Sequence, residues 1–207
     1  APKKILIVRL DHLGDILPAT ALAQILKENF SGAEVHFLTN EIGQELLRNN
    51  PYVSRVWTFN PAWYKRDRAN GATRPKFSEI VRLLRQERFD LAIAPRGDLR
   101  ENYFLWRIGA KARVGYGITG GGFFLTHCLS YKKVAHESDH TLDLLRSLGI
   151  RPASLKAKLY WTNDEEERYR RSLKEKGFFG RGWVGLQVDA GTSAKEWPME
   201  NLKKLLE

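Results

Sequence analysis

Two short stretches of this chain put reactive residue types where chemistry is feasible. In "RLDHLGDILPAT", Arg9 to Thr20, a glycine and an acid, Gly14 and Asp15, follow the apolar run "ILIV". The plain structural reading is that an acid in a helix's first turn suits the helix dipole. The functional reading is that a helix N-terminus favours the ionised carboxylate, which a general base must be. In "VDAGTSAKEWP", Gly191, Thr192 and Ser193 offer backbone N–H groups and hydroxyls ahead of Lys195, and Pro198 stands near the first position of a following helix. Donors converging before a helix N-terminus hold anions. The other reading is an ordinary strand-to-helix loop with one exposed lysine. The GxxxxGK[ST] phosphate loop is absent.

Charge points the same way. The chain of 207 residues carries a net +10, which suggests an anionic partner: nucleic acid, phospholipid, or a phosphorylated sugar or lipid. Between residues 61 and 100, ten Lys and Arg stand against five acids, so half of the excess sits in under a fifth of the length. Arg82, Arg85 and Arg88 read as a solvated helix face. Lys65, Arg66, Arg68 and Arg74 lie in a long loop and are the better candidates for touching an anion. The run "GGG" at 120–122 marks a flexible or tightly turned loop, with functional and structural readings evenly matched. His136 and His140 stand four apart without a third ligand nearby, so they read as helix-surface residues rather than a metal site.

These residues need a scaffold, and the hydrophobic pattern supplies one. "KILIVRL", "AEVHFLT", "VSRVWTF", "DLAIAP" and "ARVGYG" read as strands. "ILPATALAQILKENF", "NEIGQELLRNN", "FSEIVRLLRQERF", "GDLRENYFLWRIG" and "ESDHTLDLLRSLGI" read as helices between and after them. Asn40 is a plausible N-cap, and Gly109 and Gly149 end their helices. "ITGGGFFLTHCLSY" is a glycine-rich loop with room for an edge strand. The alternation predicts an α/β fold, a Rossmann-like doubly wound parallel sheet. Thr162 opens a helix with acids first and bases later. "GWVGLQVDAG" then reads as a new strand and "MENLKKLLE" as a new helix. The expected organisation is a Rossmann-like domain over residues 1–160, a linking helix over 161–180, and the first β-α unit of a truncated second domain over 181–207.

The single Cys128 permits neither an internal disulfide nor a thiolate zinc site, which fits a reducing cytoplasm. The first apolar stretch is too short for a signal peptide, and no run of 18 apolar residues exists to span a membrane. Peripheral contact through basic side chains stays open.

In order along the chain, three blocks resemble the family 9 glycosyltransferases, the bacterial ADP-heptose:lipopolysaccharide heptosyltransferases. They are "ILIVRLDHLGDILPATALAQIL", "RFDLAIAPRGDLRENYFLWRIGAKARVGY" and "GWVGLQVDAGTSAKEWPMENLKKLL". The resemblance implies the amino-terminal half of a GT-B fold, in which the amino domain binds the acceptor and the carboxyl domain binds the nucleotide sugar. It implies an inverting, metal-independent transfer of heptose or a related sugar from an ADP-sugar to the lipopolysaccharide inner core. Asp15 matches the catalytic base. Gly191, Thr192, Ser193 and Lys195 match the contacts to the donor diphosphate, and Arg9 stands where the family often has a basic residue near the acceptor. Gly14, Arg96 and the loop cations Lys65, Arg66, Arg68 and Arg74 are the remaining acceptor-side candidates. No cofactor is implied beyond the nucleotide-sugar substrate. The implied partners are that nucleotide sugar and a phosphorylated glycolipid acceptor such as Kdo-lipid A, at the cytoplasmic face of the inner membrane, with no nucleic acid. The chain departs from the family at Gln187 and Asp189, where a His and a small residue are usual. Nearly all of the nucleotide-binding domain is missing, which implies little activity for this length alone. The rival reading is a non-catalytic α/β module that binds an anionic phospholipid or nucleic acid through residues 61–100.

Overall fold

The computed structural model describes residues 1–61, 76–132, 136–152, 154–178, 184–188, 190 and 195–206. These fall into two compact units, Ala1–Trp161 and Thr162–Glu207.

The first unit is a six-stranded, wholly parallel sheet in the order β3-β2-β1-β4-β5-β6. Its strands are β1 (Lys4–Val8), β2 (Glu34–Thr39), β3 (Arg55–Thr58), β4 (Leu91–Ala94), β5 (Ala112–Tyr116) and the short edge strand β6 (His127–Leu129). The helices of the unit are α1 (Leu13–Asn29), α2 (Glu41–Leu47), α3 (Phe77–Glu87), α4 (Leu99–Arg107) and α5 (Glu137–Ser147). The central strand β1 is sealed on both faces, and its alternate residues feed two cores. Ile5 and Ile7 pack with Leu22 and Leu26 of α1 and Leu144 and Leu145 of α5. Leu6 and Val8 pack on the other face with Ile80 and Leu84 of α3 and Phe104 and Leu105 of α4. A strand buried on both sides has no polar face to show, which is why "ILIV" does not alternate. The chain runs from β1 outward to β3, returns to β4 beside β1, and continues outward on the other side. The sheet is therefore doubly wound, with its switch point between β1 and β4.

Local signals set most boundaries. The Asn40 side chain accepts from the Gly43 N–H at 2.9 Å and starts α2. Gly109 and Gly149 follow α4 and α5 with φ of 72° and 79°, the left-handed conformation that ends a helix. The edge strand reached from the glycine loop is β6, paired parallel to β5.

Three expectations need correction. Helix α1 begins at Leu13, three residues before the predicted start, so Gly14 lies inside its first turn; Asp15 is the first-turn acid that the dipole reading has it be. His140 is buried, not at the helix surface. Its ring stacks on Tyr131 with centroids 4.0 Å apart, and its carbonyl accepts from the Tyr116 hydroxyl at 2.7 Å. The third concerns the second unit. Its helices α6 (Asn163–Glu175) and α7 (Met199–Leu206) form, and α6 carries the Thr162–Glu165 capping box. Residues 184–188, expected as a strand, are irregular. Val184 is 94% exposed and no described strand lies alongside to accept its hydrogen bonds, and an isolated strand is not stable in water.

Candidate functional site

The carboxyl ends of β1 and β4 meet at the switch point, and charged side chains converge there. Arg9 and Asp11 come from the loop after β1, Asp15 from the first turn of α1, Arg96 and Asp98 from the loop after β4, and Glu101 from the first turn of α4. The Asn40 side chain, at the end of β2, donates to the Asp11 carbonyl at 2.7 Å and pins the first loop in place.

Arg9 is the hub. Its side chain is only 4% exposed, and its Nε lies 2.8 Å from Asp11 Oδ1, in a close ion pair whose angle is poor for a hydrogen bond. Its Nη2 lies 3.4 Å from Asp15 Oδ1. Arg96 Nη1 donates to the other Asp11 oxygen at 3.1 Å. Asp11 thus bridges two guanidiniums, while Asp15 shares Arg9 and keeps a side chain that is 42% exposed. His12 Nδ1 stands 3.7 Å from the second Asp15 oxygen. Beside them, Asp98 caps α4 and is gripped by Arg100, whose Nη2 lies 2.7 Å away.

Burial sets the acidities. Asp11 is pushed above the usual carboxylate range, first by burial and also by the neighbouring Asp15 charge; Arg9 and Arg96 oppose this. Glu101, 1% exposed, is pushed up to about 8 by burial, with the Asp11 charge adding and Arg9 and Arg96 opposing. It is a protonated acid at neutral pH. Asp98 moves the other way, because the Arg100 guanidinium stabilises its charge.

The candidate residues divide as follows. Asp15, Arg9 and Arg96 come together, with Arg9 lying beneath Asp15 rather than on the surface. Gly14 sits in the helix at an ordinary φ, and a Cβ built there meets nothing within 4 Å. The fold therefore does not demand glycine at this position, and the backbone beside Asp15 is left open. Lys195 is exposed in the second unit, shortly before α7. Lys65, Arg66, Arg68 and Arg74, with Gly191, Thr192 and Ser193, lie outside the described residues, as does Asp189. Arg82, Arg85 and Arg88 are exposed, as a solvated helix face should be. Among the described residues no group of three or more His, Cys, Asp or Glu is arranged to hold a metal ion.

Sequence reasoning missed Asp11 and Glu101. The signal for Glu101 was present: it shares a helix face with Phe104, Leu105 and Ile108, all buried, so an acid falls on an apolar stripe. The "GGG" loop resolves toward structure. Gly121 has a φ of 74°, and a Cβ there would lie 2.7 Å from Leu99 Cδ1; one on Gly122 would lie 2.9 Å from Cys128 Sγ. The spacing Gly115-x-Gly117-x-x-Gly120 has the form of a dinucleotide fingerprint, but it leads into a single 3₁₀ turn, Gly122–Phe124, and opens no helix.

No protein-family model and no curated protein matches the chain. Solved structures do. A glycosyl transferase family 9 structure from Veillonella parvula aligns with a TM-score of 0.75 at 18% identity, covering 98% of this chain and 58% of that one. The ADP-heptose lps heptosyltransferase II of E. coli aligns at 0.70 and 18% identity, covering 98% and 61%. The E. coli heptosyltransferase WaaC, solved with ADP, aligns at 0.68 and 15% identity, covering 98% and 62%. These are the proteins whose motifs the sequence resembles. At such identities the likeness is one of fold, the α/β, Rossmann-like arrangement expected for the amino-terminal half of a GT-B fold. The chain spans about three fifths of each of these structures.

Proposed function

We propose that this chain is the acceptor side of an inverting, metal-independent glycosyltransferase that moves heptose or a related sugar from an ADP-sugar to the lipopolysaccharide inner core. One observation carries the reading: Asp15, a half-exposed carboxylate in the first turn of α1, stands at the switch point of a sheet built like those of the heptosyltransferases, with a buried arginine beneath it. Ligands of open α/β sheets bind at that edge. In this reading Asp15 accepts the proton of an acceptor hydroxyl. The freed oxygen attacks the anomeric carbon from the face opposite the nucleotide, the bond to the diphosphate breaks, and the configuration inverts. Arg9 and the helix N-terminus attract the Asp15 charge and fix its direction. Lys195, with Gly191, Thr192 and Ser193, neutralises the departing diphosphate, a role that cations and backbone donors can fill without a divalent ion. The phosphorylated glycolipid acceptor lies against Arg96 and the basic loop, and the enzyme works at the cytoplasmic face of the inner membrane. No helix among the described residues is long and apolar enough to cross a membrane.

The test is Asp15→Ala in a protein that includes a complete donor domain, assayed with ADP-heptose and a heptose-free core acceptor. General base catalysis is worth about 10²- to 10⁴-fold, so kcat should fall by that much with the fold intact. A variant within about tenfold of the parent overturns the base assignment.

A further inference from the structure

Asp11 has no task in the transfer itself, yet the fold fixes it firmly. Its side chain is 4% exposed, against 42% for Asp15. Asn40, which accepts the Gly43 N–H at the start of α2, donates to the Asp11 carbonyl at 2.7 Å. Two residues before Asp11, the Arg9 N–H donates to the Leu38 carbonyl of β2 at 3.0 Å. The backbone that carries Arg9 and Asp11 is therefore anchored to the neighbouring strand and helix, and the buried ion pair between the two side chains has little room to shift.

Across the cluster the charges alternate in sign: Arg96, Asp11, Arg9, Asp15. Arg96 Nη1 donates to one Asp11 oxygen at 3.1 Å, Arg9 Nε stands 2.8 Å from the other, and Arg9 Nη2 stands 3.4 Å from Asp15. Arg9 is thus shared unequally, with its shorter contact on the acid that does no chemistry. Sharing matters to a base. A carboxylate in full contact with an arginine keeps its charge and takes up a proton poorly. One with no cation beneath it loses its direction. The other charged neighbours are His12, whose Nδ1 lies 3.7 Å from the second Asp15 oxygen, and Glu101 of α4, which is protonated at neutral pH and adds no charge.

We infer that Asp11 is a positioning residue for the base: held by Arg96 on one side, it takes the nearer contact with Arg9 on the other, and so sets how readily Asp15 accepts a proton. This rests on the reading of Asp15 as the base and deepens it. Two substitutions should move Asp15 in opposite directions. Asp11→Asn keeps the shape and removes the charge, so Arg9 is left to Asp15 and holds its proton off. Arg96→Gln leaves Asp11 with a larger claim on Arg9, which is drawn away from Asp15. A loss of packing alone predicts neither sign.

The experiment is a pH titration of the Asp15 carboxyl carbon by NMR in this chain, the signal being identified by its absence in Asp15→Asn. Asp11→Asn should bind the Asp15 proton at least about threefold more weakly than the parent, and Arg96→Gln at least about twofold more tightly. In an Arg9→Gln background Asp11→Asn should do less, because the arginine that carries the effect is gone. Equal proton affinity in the parent and Asp11→Asn overturns the inference, as does an undiminished effect without Arg9. Where Asp11→Asn does not fold, Arg96→Gln decides, and equal affinity there overturns it. No sugar enters the titration. A failed titration leaves the base assignment standing, whereas an active Asp15→Ala enzyme removes the base without altering the titration.

Discussion

The two edges of one sheet treat their charges in opposite ways. At the amino edge, ahead of β1, β4 and β5, the ion pairs face water. Lys4 Nζ reaches Glu87 at 2.7 Å and Glu34 at 3.7 Å, Arg55 reaches Glu87 at 3.2 Å, and Lys111 reaches Asp90 at 2.7 Å. Asp90 also accepts the backbone N–H groups of Lys3 and Lys4. There the acids become stronger: the Lys111 hydrogen bond first, then the backbone donors, hold Asp90 at about 2, and Lys4 holds Glu87 low. At the carboxyl edge the same residue types are buried, and Asp11 and Glu101 become weaker acids despite two arginines beside them. Partners decide acidity where water remains; where it is excluded burial weakens Asp11 and Glu101 as acids, and at Asp98 the Arg100 hydrogen bonds outweigh it. The amino edge stitches strands together. The carboxyl edge stores charge at the one place where the topology leaves a crevice.

That contrast can be broken at either end. The largest effect belongs to Asp11→Ala, which removes the carboxylate bridging Arg9 and Arg96 and leaves the buried Arg9 guanidinium under-compensated. Chemical denaturation at neutral pH should show a loss of about 3–5 kcal/mol. A loss below about 1 kcal/mol, the value of a surface pair, would erase the difference between the edges. Next comes Glu101. Its pKa is raised on folding, so the folded chain keeps a proton that the unfolded chain releases. Stability is therefore full below the ordinary glutamate value of 4.5 and declines as pH rises toward about 8. Melting temperatures should fall across that window, and Glu101→Gln, always neutral, should flatten the fall by an amount on the order of a few kcal/mol. The smallest effect is at the amino edge. Asp90 has the opposite sign: its contribution is present above 3.8 and fades as pH falls toward about 2. Asp90→Asn should cost about 1 kcal/mol at neutral pH, and less in high salt, when followed by urea unfolding.

The same contrast marks what the sequence could reveal. Strand and helix order was legible because periodicity is local: "ILIV" without alternation states that β1 is covered on both faces. Caps at Asn40 and Thr162 were legible because a side chain and the N–H it satisfies lie three residues apart. Asp15 was legible as a first-turn acid for the same local reason, although the Gly14 before it forms no turn. The buried network was not. Asp11 and Arg96 lie far apart in the chain, and nothing in "RLDHL" states that Asp11 will meet a second guanidinium from the β4 loop. The strand expected at 184–188 failed from the same cause, since a strand exists only through a neighbour that local pattern cannot supply.

The parallel order of the sheet also sets a timetable. No two neighbouring strands can close through a short hairpin; each pair waits for a crossover. Strands β1, β2 and β3 can assemble as soon as α1 and α2 have formed between them, but β1 pairs Ile5 with Leu91 on its other side. During synthesis a strand covered on both faces in the finished sheet therefore holds one bare edge until β4 emerges, with β3 and α3 made in between. The non-local pairing at the switch point is thus one that the nascent chain makes late.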